Sequence, residues 1–452
     1  MNIIVVGCGK IGTTIIASLV SEGHSVTVVD DDPEILSEIS NVHDIMSVCG
    51  NAADYEVLQE AGVAKTELFV AVTGSDEMNM LSCFMAKRLG AQHTIARIRN
   101  PGYNATGLSF IRQELGLSLS INPERLAARE LYNILKLPSA TKVERFSGRN
   151  FEIIEIKLRD SSRFDGLTMR EMREKFKTRV LVCTVQRGDE VYVPDGSFAL
   201  KSGDRIAITA TSDEIQKFLK DAGLLQKQAR NVMILGGSRT AYYLAKMLLD
   251  TGNSVKILEQ DEKSCQMLCD ALPRAVVIHG DGAQQEVLME EGLLSTDAFV
   301  ALTGIDEENI LLSIFAASKN VPKVISKVNR AELASMAEKL GLESVISPRA
   351  IVSDILVQYA RALENSLGSN VETLYKLMDG KAEALEFNVK PNARLIGIPL
   401  KDLSTKPNIL IAGIFRDRQT IIPAGDDMIL AGDRVIVISA HRKLQDLSDI
   451  LS

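Results

Sequence analysis

No apolar run in the sequence approaches the roughly 20 residues that a bilayer-spanning helix requires. The longest candidates, such as Ile409–Phe415, have strand length. Met1-Asn2 leads directly into the apolar run Ile3–Val6, with no signal peptide ahead of it, so the expectation is a chain that stays in the cytoplasm. Basic excess is also missing: the net charge is -8 and the pI about 5.4. Phosphate backbones want a basic surface, so a general nucleic-acid role is not expected. The six cysteines (Cys8, Cys49, Cys83, Cys183, Cys265 and Cys269) are scattered. Only Cys265 and Cys269 lie one helical turn apart, and no second ligand pair is near them, so no metal site is expected and the thiols are read as reduced and mostly buried. A nucleophile elbow, a P-loop lysine and an H-E-x-x-H pair are likewise missing. None of the five histidines falls on a histidine at the equivalent place in the repeat described next.

What the sequence does contain is a duplication. With 452 residues, three or four domains of ordinary size are expected. An offset of about 229 residues lays Asn2-Ile3-Ile4-Val5-Val6-Gly7 on Asn231-Val232-Met233-Ile234-Leu235-Gly236. Asp30 falls on Glu259, and Gly50-Asn51 falls one residue later on Gly280-Asp281. Val70-Ala71-Val72-Thr73-Gly74-Ser75-Asp76-Glu77 falls on Val300-Ala301-Leu302-Thr303-Gly304-Ile305-Asp306-Glu307. The match continues through Val193-Pro194-Asp195-Gly196 with Ile422-Pro423-Ala424-Gly425, and through Gly203-Asp204-Arg205 with Gly432-Asp433-Arg434. The repeated unit is therefore about 225 residues long, and the join lies near Leu225–Arg230.

Each unit opens with apolar runs of strand length alternating with helical patterns. Ile3–Val6, Val26–Val29, Met46–Cys49, Leu68–Val72 and Thr94–Ile98 read as strands, and the second unit repeats them from Val232 to Lys327. Such alternation implies a parallel sheet covered on both faces. The helical stretch Pro123–Leu137, matched by Pro348–Leu363, begins with the proline favoured in a first turn. Short strands and turns follow, from Phe151 to Thr211 and from Ala384 to Ala440. The expected fold class is α/β: two Rossmann-like domains, at 1–137 and 230–364, each followed by a small α+β module, at 138–225 and 368–452.

Gly7-Cys8-Gly9-Lys10-Ile11-Gly12 is a G-x-G-x-x-G that follows a strand and opens a helix. Its three glycines serve a tight turn, the close approach of a pyrophosphate and helix–strand packing. Asp30 closes the second strand where a ribose-binding carboxylate belongs. Asp31 and Asp32 beside it disfavour a 2′-phosphate, so NAD(H) is preferred over NADP(H). ADP and ATP offer the same adenosine-pyrophosphate end and stay open. Thr73 and Gly74 end the fourth strand, and Arg97 lies in the fifth, within reach of a phosphate. The second unit, Gly236-Gly237-Ser238-Arg239-Thr240-Ala241, keeps the first glycine but has Ser238 and Ala241 at the later two positions. Glu259 supplies the acid there, and Arg239 sits in the loop. A second nucleotide site with different selectivity and a degenerate structural copy both remain open.

The series from Gly7 to Gly12, Asp30, Gly50-Asn51-Ala52, Ala71 to Asn79 and Ala96-Arg97 resembles the N-terminal domain of the RCK (also called KTN) family. The modules near 143–225 and 368–452, with their Pro-x-Gly and Gly-Asp-Arg turns, resemble the family's C-terminal domain. Two full copies in one chain resemble the regulatory subunits of bacterial Trk potassium-uptake systems. That resemblance implies a homo-oligomeric gating ring, a tetramer, on the cytoplasmic face of the inner membrane beneath a TrkH- or TrkG-type potassium channel or transporter. It implies NAD(H) or ATP/ADP as regulatory ligands and no catalysis. By the same resemblance Gly7 to Gly12, Asp30, Asn51, Thr73, Gly74 and Arg97 hold one nucleotide. Gly236, Gly237, Ser238, Arg239, Thr240, Glu259, Asp281, Thr303 and Gly304 hold the other. Asn51 stands where the family commonly has Asp, as at Asp281, and Lys327 stands where the first unit has Arg97. The rival readings are an NAD-dependent dehydrogenase with a duplicated fold, and an RCK regulator of another cation transporter.

Overall fold

In the computed structural model, four sheets follow one another along the chain, two parallel and two antiparallel. The structure describes all residues except 104, 147–149, 159–162, 178, 367–370, 418, 442–443 and 445. The domain start expected at 368 therefore lies outside the described residues. The first parallel sheet has six strands in the order Met46–Cys49, Ser25–Asp30, Asn2–Val6, Leu68–Ala71, His93–Arg97, Leu119–Ile121. The second repeats that order with Val276–His279, Ser254–Glu259, Asn231–Leu235, Ala298–Ala301, Lys323–Lys327 and Val345–Ile346. In each, the strand order reverses beside the first strand, which opens a crevice at the carboxyl ends of the strands. Their central runs, Ile3 to Val6 and Leu68 to Ala71, are wholly buried because helices cover both faces.

The two halves do not close their cores separately. Helix Pro123–Lys136 is capped by Asn122, whose side chain accepts from Arg125 N at 2.9 Å. Its buried stripe of Ala128, Leu131, Ile134 and Leu135 packs into the second half, against Val232, Leu244 and Leu248. Helix Pro348–Ser366 does the reverse: Val352, Leu356, Val357 and Ala360 join Ile3, Val5, Ile15, Ile16 and Leu19 of the first half. Each half thus covers the other's first helix. Full burial of one such leucine or isoleucine is worth about 1.5–3 kcal/mol.

The antiparallel sheets, of five strands each, also share a core. One runs Glu190–Tyr192, Leu181–Arg187, Arg205–Ala210, Glu152–Lys157, Lys142–Arg145, and the other Val371–Leu377, Ala382–Asn388, Arg434–Ala440, Ile409–Arg416, Gln419–Ile421. Phe151 meets Phe415 edge-on with centroids 5.2 Å apart. Gly413 makes room for it, since a methyl there would lie 2.8 Å from the Phe151 ring. The Gly-Asp-Arg turns have a clear purpose. Asp204 and Asp433 are buried, and each takes a two-pronged bond from an arginine, Arg187 or Arg416, at 2.7–2.9 Å.

Several elements go beyond the sequence reading. Each parallel sheet has a sixth, very short strand, and each antiparallel sheet begins with an unexpected one. Lys142–Arg145 reads as polar, yet its charges are matched: Lys142 pairs with Glu144 at 3.1 Å and Arg145 with Glu152 at 2.9 Å. Helices Ala105–Leu115, Met169–Phe176, Ser212–Asp221 and Ala331–Lys339 were likewise not expected. The exchanged core makes a direct prediction. Leu356→Ala is expected to cost about 2–5 kcal/mol and to speed hydrogen exchange in Asn2–Val6 and Lys10–Ser21, although Leu356 belongs to the second repeat. Faster exchange confined to the second half would contradict the assignment.

Candidate nucleotide-binding site

At the strand-order reversal of the first sheet lies a cleft of about 670 Å³. Gly7, Gly9, Lys10, Ile11, Asp30, Asn51, Thr73, Gly74 and Arg97 line it, so nine of the eleven first-half residues expected there come together. The other two, Cys8 and Gly12, sit behind the lining. Gly7 has φ +92°, and a methyl on it would press against Thr73 N at 2.8 Å. A methyl on Gly12 would fall 1.9 Å from the Gly7 carbonyl oxygen. Above Gly9 there is open space, and no side chain caps helix Lys10–Ser21, whose N-cap it is. The first-turn N–H groups and the positive end of the helix dipole are therefore available to an anion.

Asp30 organises the loop. Its Oδ2 accepts from Cys8 N and its Oδ1 from Asp32 N at 3.0 Å. Carboxylate oxygens have further lone pairs, so both can still accept from ribose hydroxyls. Burial and the neighbouring Asp30 charge push the Cys8 thiol up to about 12, which makes it a packing group and not a nucleophile.

Two site residues escaped the sequence reading. Asn79, fully buried, accepts from Thr73 N at 2.8 Å and Thr73 Oγ1 at 2.7 Å and donates to the Arg97 carbonyl at 2.9 Å. It thereby ties the fourth strand's end to the fifth. Asp76 accepts from Arg99 N and Asn100 N, both at 2.8 Å. Asn309 and Asp306 repeat both arrangements in the second half. The signal was present in the repeated Thr-Gly-x-Asp-Glu-x-Asn, where only the threonine and glycine were read as binding residues.

Arg97 is largely buried and lies 4.0 Å from Glu124. Burial lowers its pKa, and the Arg99 charge acts the same way; Glu124 and Asp76 oppose, and Arg239 lowers it further. A guanidinium stays protonated regardless; of these three arginines only Arg97 lines the cleft, and Arg99 lies 3.6 Å from Asp76. Arg239 comes from the second half, and its charge therefore acts on the first cleft.

The second cleft is smaller, about 350 Å³. Gly236, Gly237, Ser238, Glu259, Asp281, Thr303 and Gly304 line it, whereas Arg239 and Thr240 do not. Glu259 mirrors Asp30, accepting from Gly237 N and from Asp261 N at 2.7 Å. The longer acid needs Gly237, where a methyl would come within 2.8 Å of its Oε2. Ser238 fills the place of Gly9 and caps its own helix through Ala241 N. Glu308 replaces Met78 in the lining, giving three carboxylates (Glu259, Asp281, Glu308) and no cation. Lys327 is not in the lining and donates to the Leu302 carbonyl at 3.2 Å. Among the described residues no group of three or more His, Cys, Asp or Glu side chains is arranged to hold a metal ion.

Fold and cleft together define a tandem Rossmann-type protein, each parallel domain joined to an antiparallel module. Residues 3–123 and 232–348 match the TrkA-N domain family, and 153–223 and 384–452 match the TrkA-C domain family. The chain belongs to the TrkA family. It is 30% identical over 451 residues to the Trk system potassium uptake protein TrkA homolog of Archaeoglobus fulgidus, covering 100% of both chains. It is 29% identical to the Trk system potassium uptake protein TrkA of Haemophilus influenzae, over 98% of this chain and 96% of that protein. The solved GsuK channel bound to NAD has a similar fold: TM-score 0.63 at 18% identity, covering 97% of this chain and 77% of that one. The exchanged helices fall between the matched segments.

Asn79→Ala is expected to weaken binding at the first cleft about tenfold or more, because it strands a buried N–H and releases Arg97. Asn309→Ala, the same change in the second half, is expected to leave that affinity nearly unchanged. Equal effects in a calorimetric titration with NADH and with ATP would contradict the distinction.

Proposed function

We propose that this chain is a nucleotide-sensing regulatory subunit of a potassium-uptake system. It sits on the cytoplasmic face of the membrane and controls a TrkH- or TrkG-type channel or transporter. Its relatives are named as potassium uptake proteins, and no helix among the described residues is long and apolar enough to cross a membrane itself. The carrying observation is the first cleft, where an uncapped helix N-terminus over Gly9, a ribose-type carboxylate at Asp30 and the cations Lys10 and Arg97 converge. That combination suits an adenosine pyrophosphate, as NAD(H) or as ATP/ADP. The first cleft is the principal site. Both clefts are lined by three carboxylates, but the second has Ser238 over its helix and no lysine or arginine in its lining, which makes it a weaker one for any polyanion.

We assign the chain no catalysed reaction; neither cleft is lined by a histidine among the described residues. The chain assembles as a homo-oligomeric ring, a tetramer. Exposed Leu81 and Phe110 in the first half, and Leu311, Met336 and Leu340 in the second, supply apolar surface for that assembly. Regulation requires that the nucleotide bind two ring shapes with different affinity. A coupling of about 1–3 kcal/mol is the usual scale.

Asp30→Ala is expected to lower nucleotide affinity at least about tenfold, by removing both the ribose acceptor and the anchor of Cys8 N. Unchanged affinity in a calorimetric titration would remove Asp30 from the site. In the parent bacterium, loss of the chain is expected to abolish uptake at low external potassium. The wild-type chain is expected to restore uptake and Asp30→Ala to fail. Unchanged uptake in a strain lacking its other potassium importers would contradict the proposal.

A further inference from the structure

The first cleft is lined by the first half alone, but its rim is braced from the second half. Helix Arg239–Asp250 of the second half carries Arg239 and, one turn later on the same face, Tyr243. Asn122 Nδ2 donates to the Tyr243 hydroxyl at 3.2 Å, and that hydroxyl reaches the Arg99 carbonyl at 3.5 Å. Asn122 Nδ2 also reaches the Arg99 carbonyl, at 3.3 Å. Arg99 in turn is pinned through its N–H to Asp76 and through its guanidinium to the Gly74 carbonyl. A continuous run of hydrogen bonds therefore links the second half's first helix to the rim of the first cleft. Burial pushes the Tyr243 phenol up, so it remains a neutral donor and acceptor at physiological pH.

The duplication offers an internal control. By the repeat offset, Thr14 occupies the place of Tyr243 and Ser347 that of Asn122. Thr14 Oγ1 bonds the Lys10 carbonyl of its own helix at 3.2 Å, and Ser347 Oγ accepts from Ala350 N at 3.3 Å within its own first turn. Those two side chains are used locally. The long tyrosine therefore reaches one way across the seam, toward the larger and more cationic cleft.

We propose that Tyr243 is a positioning residue for the first nucleotide cleft, holding the Arg97–Arg99 segment through Asn122 and the Arg99 carbonyl so that ligand phosphates there register the placement of the second half. The inference rests on the first cleft being a nucleotide site. The test is calorimetric titration of the full chain with ATP and with adenosine, comparing wild type, Tyr243→Phe, Thr14→Val and Asp30→Ala. Phenylalanine keeps the ring and removes only the hydroxyl. Tyr243→Phe is expected to lower ATP affinity about threefold to tenfold, the scale of one or two hydrogen bonds, and to leave adenosine affinity unchanged. Thr14→Val is expected to change neither. Unchanged ATP affinity in Tyr243→Phe would overturn the assignment. An equal loss for ATP and adenosine would overturn it too, because a general structural defect has no preference for phosphates. Wild type that binds neither ligand, or binds both as well after Asp30→Ala, would instead bring down the underlying site.

Discussion

The structure depends on one exchange. Neither Rossmann-type half keeps the helix that its own chain supplies after the last strand. Pro123–Lys136 covers the second half, and Pro348–Ser366 covers the first. Apolar stripes this long cannot be left in water, so each half's core is complete only when the other is present. The antiparallel modules repeat the principle by sharing one core through Phe151, Phe415 and Met378. A tandem duplication therefore folds as one body, and a change at one cleft has packed side chains through which to reach the other half.

Within that shared frame the two clefts have diverged by small steps whose effects add. Ser238 in place of Gly9 fills the space over the helix and occupies one of its free N–H groups. Glu308 puts a carboxylate in the lining where the first cleft has Met78. Lys327 in place of Arg97 is absent from the lining. Glu259 and Asn309 nevertheless keep the internal bonds of Asp30 and Asn79. Scaffolding thus survived in both halves while anion-binding features remain in one. Arg239 is outside the lining of its own cleft, and its charge is felt by Arg97 across the seam.

The parallel sheets and the glycine loop were legible because their signals are local. Runs of Ile and Val mark strands, and Gly7 and Gly12 are each demanded by a contact within a few residues or with the adjacent strand, while Gly9 leaves the space over the helix open. Destinations were not legible. The amphipathic stripe of Pro123–Lys136 declares a buried face but not which half buries it. Lys142–Arg145 carries no apolar run to mark it as a strand, and Arg145 finds Glu152 only once the neighbouring strand is in place. Asn79 was visible in the repeat, yet its part as a tie between two strands needs both strands in place. Tyr243 lies far along the chain from the Arg99 carbonyl that it reaches.

Hydrogen exchange on the full chain, with and without saturating nucleotide, tests whether the rim of the first cleft is braced by the second half. Protection is expected in the loop at 7–12 and the rim at 97–100, together with protection of 239–244 in the second half. Protection confined to the first half, with 239–244 unchanged, would contradict it.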